Sequence, residues 1–76
     1  MIAERLKILR KERGYTQQHV ASGLNIGYTH YQKYEYGEKI PGRDKLIELA
    51  DYFDVSIDYL LGRTDDPRLH RLGDDA

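Results

Sequence analysis

Apolar residues recur along this chain at helical spacing, and nowhere do they alternate over the length of a strand. Ile2, Leu6 and Leu9 form a stripe within 2–13, with Arg10 on its flank. Basic residues in its last turn and Gly14 beyond it predict where that helix stops. Val20, Ala21 and Leu24 form a second stripe behind Thr16, whose hydroxyl can cap a first turn by accepting from a free amide. Ala21 is small enough for another helix to cross closely. Ser22-Gly23 weakens the helix end, and Asn25 tolerates the left-handed conformation that a sharp turn demands. Gly27 opens a third helix running to Tyr36. After a Gly- and Pro-containing loop over 37–42, Leu46, Leu49, Ala50 and Phe53 mark one face of a fourth helix over 43–54, with Ile47 beside it. Val55 lies between helices. Ser56 caps a short fifth helix over 57–61, Asp58 sits near its positive end, and Gly62 stops it.

The pattern therefore predicts an all-α fold, with one five-helix domain over 1–62 and a tail over 63–76. The tail allows two readings: a short helix capped by Asp66, with Leu69 and Leu72 on one side and Gly73 as its stop, or a frayed acidic terminus. Two short helices joined by so tight a turn, over 16–37, are a helix-turn-helix signature.

The second helix of that pair has an outer face that the fold itself does not need. At about 100° per residue, Tyr28, Thr29, Gln32, Lys33 and Tyr36 fall within roughly 140° of arc. Tyr31 and Tyr34 lie on the opposite side as core candidates, with Ile26 leading in. Polar residues also cover a face that is merely solvated. Two large aromatics on it point instead to a contact surface.

Composition changes the picture in two places. Seventy-six residues make one domain, near the lower size at which a core is self-sufficient. Net charge is −1, which by itself argues against nucleic acid. Yet residues 1–43 carry eight Lys/Arg against four Glu, a balance of +4, while residues 44–76 carry four Lys/Arg against nine Asp/Glu, a balance of −5. A polyanion meets the local field first, so a basic binding face with an acidic back remains open.

Catalysis and metal binding find no support. The chain has no cysteine, which rules out a disulfide framework and a thiolate zinc site. His19, His30 and His70 are scattered, and no paired carboxylates stand at ligand spacing. Asp51, Asp54 and Asp58 read as solvation and caps. Neither a nucleophile elbow nor a phosphate-binding loop is present, so no enzyme activity, metal or cofactor is expected. No apolar run approaches the ~18 residues of a membrane span, and Met1-Ile2-Ala3-Glu4 does not open a signal peptide, so the expectation is a soluble, cytoplasmic protein.

A wider set of residues carries a resemblance over about 2–62. Thr16-Gln17, Val20-Ala21, Leu24-Asn25-Ile26, Tyr31, Tyr34-Glu35-Tyr36-Gly37, Pro41, Leu46, Leu49-Ala50 and Val55 through Leu61 together resemble the XRE family of phage repressor and Cro-type regulators. The resemblance implies a compact lambda-repressor-like DNA-binding domain whose helix-turn-helix is formed by helices 2 and 3. It implies base-edge contacts in the major groove for Tyr28, Thr29, Gln32 and Lys33. Backbone contacts fall to Gln17, Gln18, Tyr36, Lys39 and Arg43, and a bracing pair to Arg10 and Glu35. Lys33 would donate to guanine, Gln32 would pair with adenine, and Thr29 would meet a thymine methyl or a phosphate. Departures from the family pattern are Asn25 for the usual turn glycine, Tyr31 for a smaller aliphatic, Glu38 where a basic residue is common, and Tyr28 at a base-reading position. The Tyr31 hydroxyl must then reach a partner or the surface.

The function implied is a transcriptional regulator, a repressor, binding a palindromic double-stranded operator as a homodimer. Ile57, Tyr59, Leu69 and Leu72 are its expected dimer surface. Two rivals stand beside it: an antitoxin that also captures a toxin protein, and a protein-interaction module docking a partner through the tyrosine-rich helix. Salt dependence separates DNA binding from the latter, because phosphate neutralisation makes affinity fall steeply with salt.

Overall fold

A computed structural model describes residues 2–68. Within them the chain forms five helices: α1 (Ile2–Glu12), α2 (Gln17–Gly23), α3 (Tyr28–Glu35), α4 (Arg43–Phe53) and α5 (Ile57–Leu60). No strand occurs among the described residues, and none of their helices is long and apolar enough to cross a membrane. Leu69 and Leu72, and with them the tail's expected helix, lie outside the described residues.

The helices start and stop for local reasons. Thr16 Oγ1 accepts from the His19 amide at 3.0 Å, and Ser56 Oγ accepts from the Tyr59 amide at 3.0 Å, so both hydroxyls cap the helices they precede. At the other ends one device recurs in all five helices. Gly14, Asn25, Gly37, Asp54 and Gly62 each adopt φ between +56° and +76°. The amide after each reaches back to a carbonyl five residues earlier, as Ile26 N does to Ala21 O at 3.0 Å and Val55 N to Ala50 O at 3.0 Å. Asp54 is the one of these five that its residue type did not announce.

Asn25 makes the turn between α2 and α3. Its φ of +58° is one that Asn tolerates and most side chains resist. Asn25→Ala is expected to cost about 1–2 kcal/mol of stability, and Asn25→Gly to leave it nearly unchanged. Urea midpoints of the two variants check this; equal losses in both would mean that the Asn side chain, not its conformation, is what matters.

Burial follows the stripes. α2 and α1 both pack on α3, and α5 packs on α1 and α4. Leu6, Val20, Tyr31, Leu49, Phe53 and Leu60 are fully buried at the centre, joined by Leu9, Ala21, Leu24, Tyr34, Ala50 and Val55. Gly23 allows α4 to come close, since a Cβ there would meet the Tyr52 ring at 2.6 Å. Beyond α5 the chain returns to the bundle. Ser56 N donates to Pro67 O at 3.0 Å, and Arg5 bonds Asp65 at 2.8 Å. Asp66 Oδ1 accepts from the Arg68 amide at 3.0 Å.

Candidate nucleic-acid interface

The outward face of α3 is held from behind by two tyrosines. Tyr31 is fully buried and Tyr34 nearly so, which leaves Tyr28, Thr29, Lys33 and Tyr36 exposed on the other side. Tyr28 in the first turn of α3 and Tyr36 at its C-cap keep 44% and 55% of their surface accessible, large values for aromatic rings. Lys39 and Arg43 in the following loop and at the start of α4, and Gln18 in the first turn of α2, are exposed as well. His30 flanks this face, with Nε2 2.8 Å from the Tyr34 hydroxyl.

Gln32, near the middle of the predicted arc, is only half-exposed because it leans toward α2. Its Nε2 donates to Gln17 Oε1 at 3.1 Å. Gln17 Nε2 in turn donates to Glu35 Oε1 at 3.1 Å. Glu35 also receives Arg10, from Nε to Oε2 at 2.6 Å and from Nη2 to Oε1 at 3.1 Å, while Arg10 Nη1 donates to the Tyr15 carbonyl at 2.9 Å. Four side chains from three helices therefore form one directed chain: Arg10, Glu35, Gln17, Gln32. The Glu35 side chain has no exposed surface and that of Arg10 only 13%.

Burial alone would push the Glu35 carboxyl up. The hydrogen bonds from Arg10 and Gln17, with the Tyr31 hydroxyl close by, outweigh that and hold it below the usual carboxylate range. On the other side the guanidinium of Arg10 is held above its ordinary value by the same hydrogen bonds to Glu35. The Tyr31 phenol is driven far up, by burial first and then by the neighbouring carboxylate. Its hydroxyl lies beside Glu35 and couples to it, yet makes no hydrogen bond of standard geometry. The expectation that this hydroxyl finds the surface or a partner is thus corrected: the ring fills the core, and the polar atom goes in with it.

Gln17 has a bridging role within the protein. Its side-chain oxygen accepts from Gln32 and one of its two amide hydrogens goes to Glu35. The bridging role has no periodic signal, because it joins positions 15 and 18 residues apart. On the expected dimer surface, Ile57 is 37% exposed. Tyr59 is half-buried against the core, and Arg5 stacks on its ring at 4.2 Å while also bonding Asp65, so much of that ring is engaged within the chain. No cluster of His, Cys, Asp and Glu suited to a metal occurs among the described residues.

Comparison with known proteins places this geometry. A family model described as helix-turn-helix matches residues 6–60. The chain is 45% identical over 67 residues to the uncharacterized HTH-type transcriptional regulator YobD of Bacillus subtilis, covering 88% of this chain and 60% of that protein. It is 44% identical over 62 residues to the cryptic phage CTXphi transcriptional repressor RstR of Vibrio cholerae, covering 82% of this chain and 55% of the repressor. A crystal structure of a transcriptional regulator from Listeria innocua superimposes with a TM-score of 0.76 at 36% identity, covering 99% of this chain and 65% of that one. The chain thus spans between about half and two thirds of the length of the proteins it matches.

Proposed function

Because the chain belongs to this helix-turn-helix family, we propose that it is a sequence-specific double-stranded DNA-binding transcriptional regulator, a repressor, that reads the major groove with α3. One observation carries the proposal: a single helix face presents two exposed tyrosines, a threonine and a lysine, on a backbone pinned by a buried ion pair. The repressor assignment draws on the likeness to RstR, itself a phage transcriptional repressor. The proposal is of a binding protein, not an enzyme.

In this reading Tyr28, Thr29, Gln32 and Lys33 meet base edges. Gln18, Tyr36, Lys39 and Arg43, all exposed, meet the sugar–phosphate backbone and set the register without specifying sequence. The protein binds as a homodimer to a palindromic operator, with two α3 helices about one DNA turn apart, roughly 34 Å. Ile57 belongs to the dimer surface, with Tyr59 at its edge.

Lys33→Ala and Tyr28→Ala are each expected to weaken binding to the preferred site by about 1–3 kcal/mol. The test begins with selection from a randomised duplex library at near-physiological salt, and titration of both variants against the enriched site follows. An enriched palindrome supports the dimeric reading, and a lone half-site removes the dimer. No enrichment, or unchanged affinity in both variants, removes the groove assignment.

A further inference from the structure

The chain from Arg10 to Gln32 has a direction, and that direction decides which way the Gln32 amide faces. Glu35 is a carboxylate clamped by the Arg10 guanidinium, so toward Gln17 it offers acceptors only. Gln17 must therefore turn its Nε2 to Glu35 and its Oε1 away, and Gln32 must turn its Nε2 to that oxygen. Reversing Gln32 alone would set two carbonyl oxygens against each other. Reversing both amides would set the Gln17 oxygen against the carboxylate. An amide at a protein surface ordinarily turns over at little cost; this one is locked.

We infer that Arg10, Glu35 and Gln17 together fix the base preference of Gln32, holding its amide so that the carbonyl oxygen and one remaining N–H face outward. This rests on the DNA-binding reading and deepens it at one base pair per half-site. The outward pair matches adenine, whose N6 amino group donates and whose N7 accepts. It opposes guanine, which offers acceptors at both N7 and O6 and would meet the Gln32 oxygen repulsively. Gln17 is thus a positioning residue: it touches no base, and its effect on sequence passes through Gln32.

Gln17→Met tests this, because it keeps length and helix propensity while removing both hydrogen bonds. Two readouts are taken on the intact chain. In the free protein, the side-chain amide resonances of Gln32 are compared by ¹H–¹⁵N spectra before and after the substitution, with the thermal midpoint recorded alongside. In the complex, library selection is repeated with wild type, Gln17→Met and Gln32→Ala. The expected result is a shifted Gln32 amide, and a site that becomes degenerate at the same one base pair in both variants. Adenine preference there falls from roughly 5-fold or more to near parity, while the other positions of the site are kept.

Retention of full adenine preference in Gln17→Met overturns the inference. So does an even loss of affinity at all sequences with a shallower salt dependence, which would make Gln17 a phosphate contact. An unmoved Gln32 amide in the free protein overturns the lock regardless of DNA. Failure of the wild type to select any sequence removes the DNA-binding reading itself, and with it the base assignment.

Discussion

Glu35→Ala is expected to lower the unfolding free energy by about 3–5 kcal/mol, because it leaves the Arg10 guanidinium buried without its counter-charge. In a chain of this size that is a large part of the whole stability, so the variant is expected to be partly unfolded at 37 °C. Urea denaturation followed by circular dichroism measures it, and a loss below about 1 kcal/mol would show that the pair is solvated after all. The pH dependence follows from the same group. The folded pKa of Glu35 lies below its ordinary value of 4.5. Its contribution is therefore complete above that value and is lost as pH falls through the folded pKa. Wild type should lose stability on acidification below pH 4.5 more steeply than a variant lacking the carboxylate.

A different outcome is expected when both partners become apolar. Arg10→Met with Glu35→Leu removes two charges that were costly to desolvate, and such replacements are often neutral or stabilising by about 1–4 kcal/mol. A double variant at least as stable as wild type that has lost its adenine preference would show what the ion pair is for. It would be kept for the direction it imposes on Gln17 and Gln32, not for its net contribution to stability.

Tyr31→Ala carries the second large effect. The ring is wholly buried at the centre of the bundle and is the main anchor of α3, so its removal is expected to cost about 3–5 kcal/mol through lost burial and the cavity left behind. Tyr31→Phe separates the ring from its hydroxyl. With no hydrogen bond of standard geometry to lose, the phenylalanine variant should be as stable as wild type or more stable by up to about 1 kcal/mol. Equilibrium unfolding of the pair reads both. A phenylalanine variant weaker by more than about 1 kcal/mol would mean that the hydroxyl makes a true bond to the Glu35 carboxylate.

Much of this architecture can be derived from short-range chemistry. A hydroxyl at Thr16 or Ser56 caps the turn that follows it, and Gly14, Asn25 and Gly62 end the helices before them, because those effects act within a few residues. The 3.6-residue period turns Tyr31 and Tyr34 inward and Tyr28, Thr29, Lys33 and Tyr36 outward without reference to the rest of the chain. The pairing of Arg10 with Glu35 was legible only through resemblance to a family, since the two lie 25 residues apart on different helices.

What tertiary structure alone decided lies where helices meet. By periodicity Glu35 stands only about 20° outside the outer arc. It is nonetheless buried, because α1 and α2 bring Arg10 and Gln17 over it. Gln32 sits inside that arc and is half-covered for the same reason. Gly23 reads as a weak helix end, while its missing Cβ is what admits Tyr52. The periodicity of a helix states which side chains share a face. Which of those faces another helix covers depends on inter-helix distance and rotation, and these are set by the burial of the core residues together.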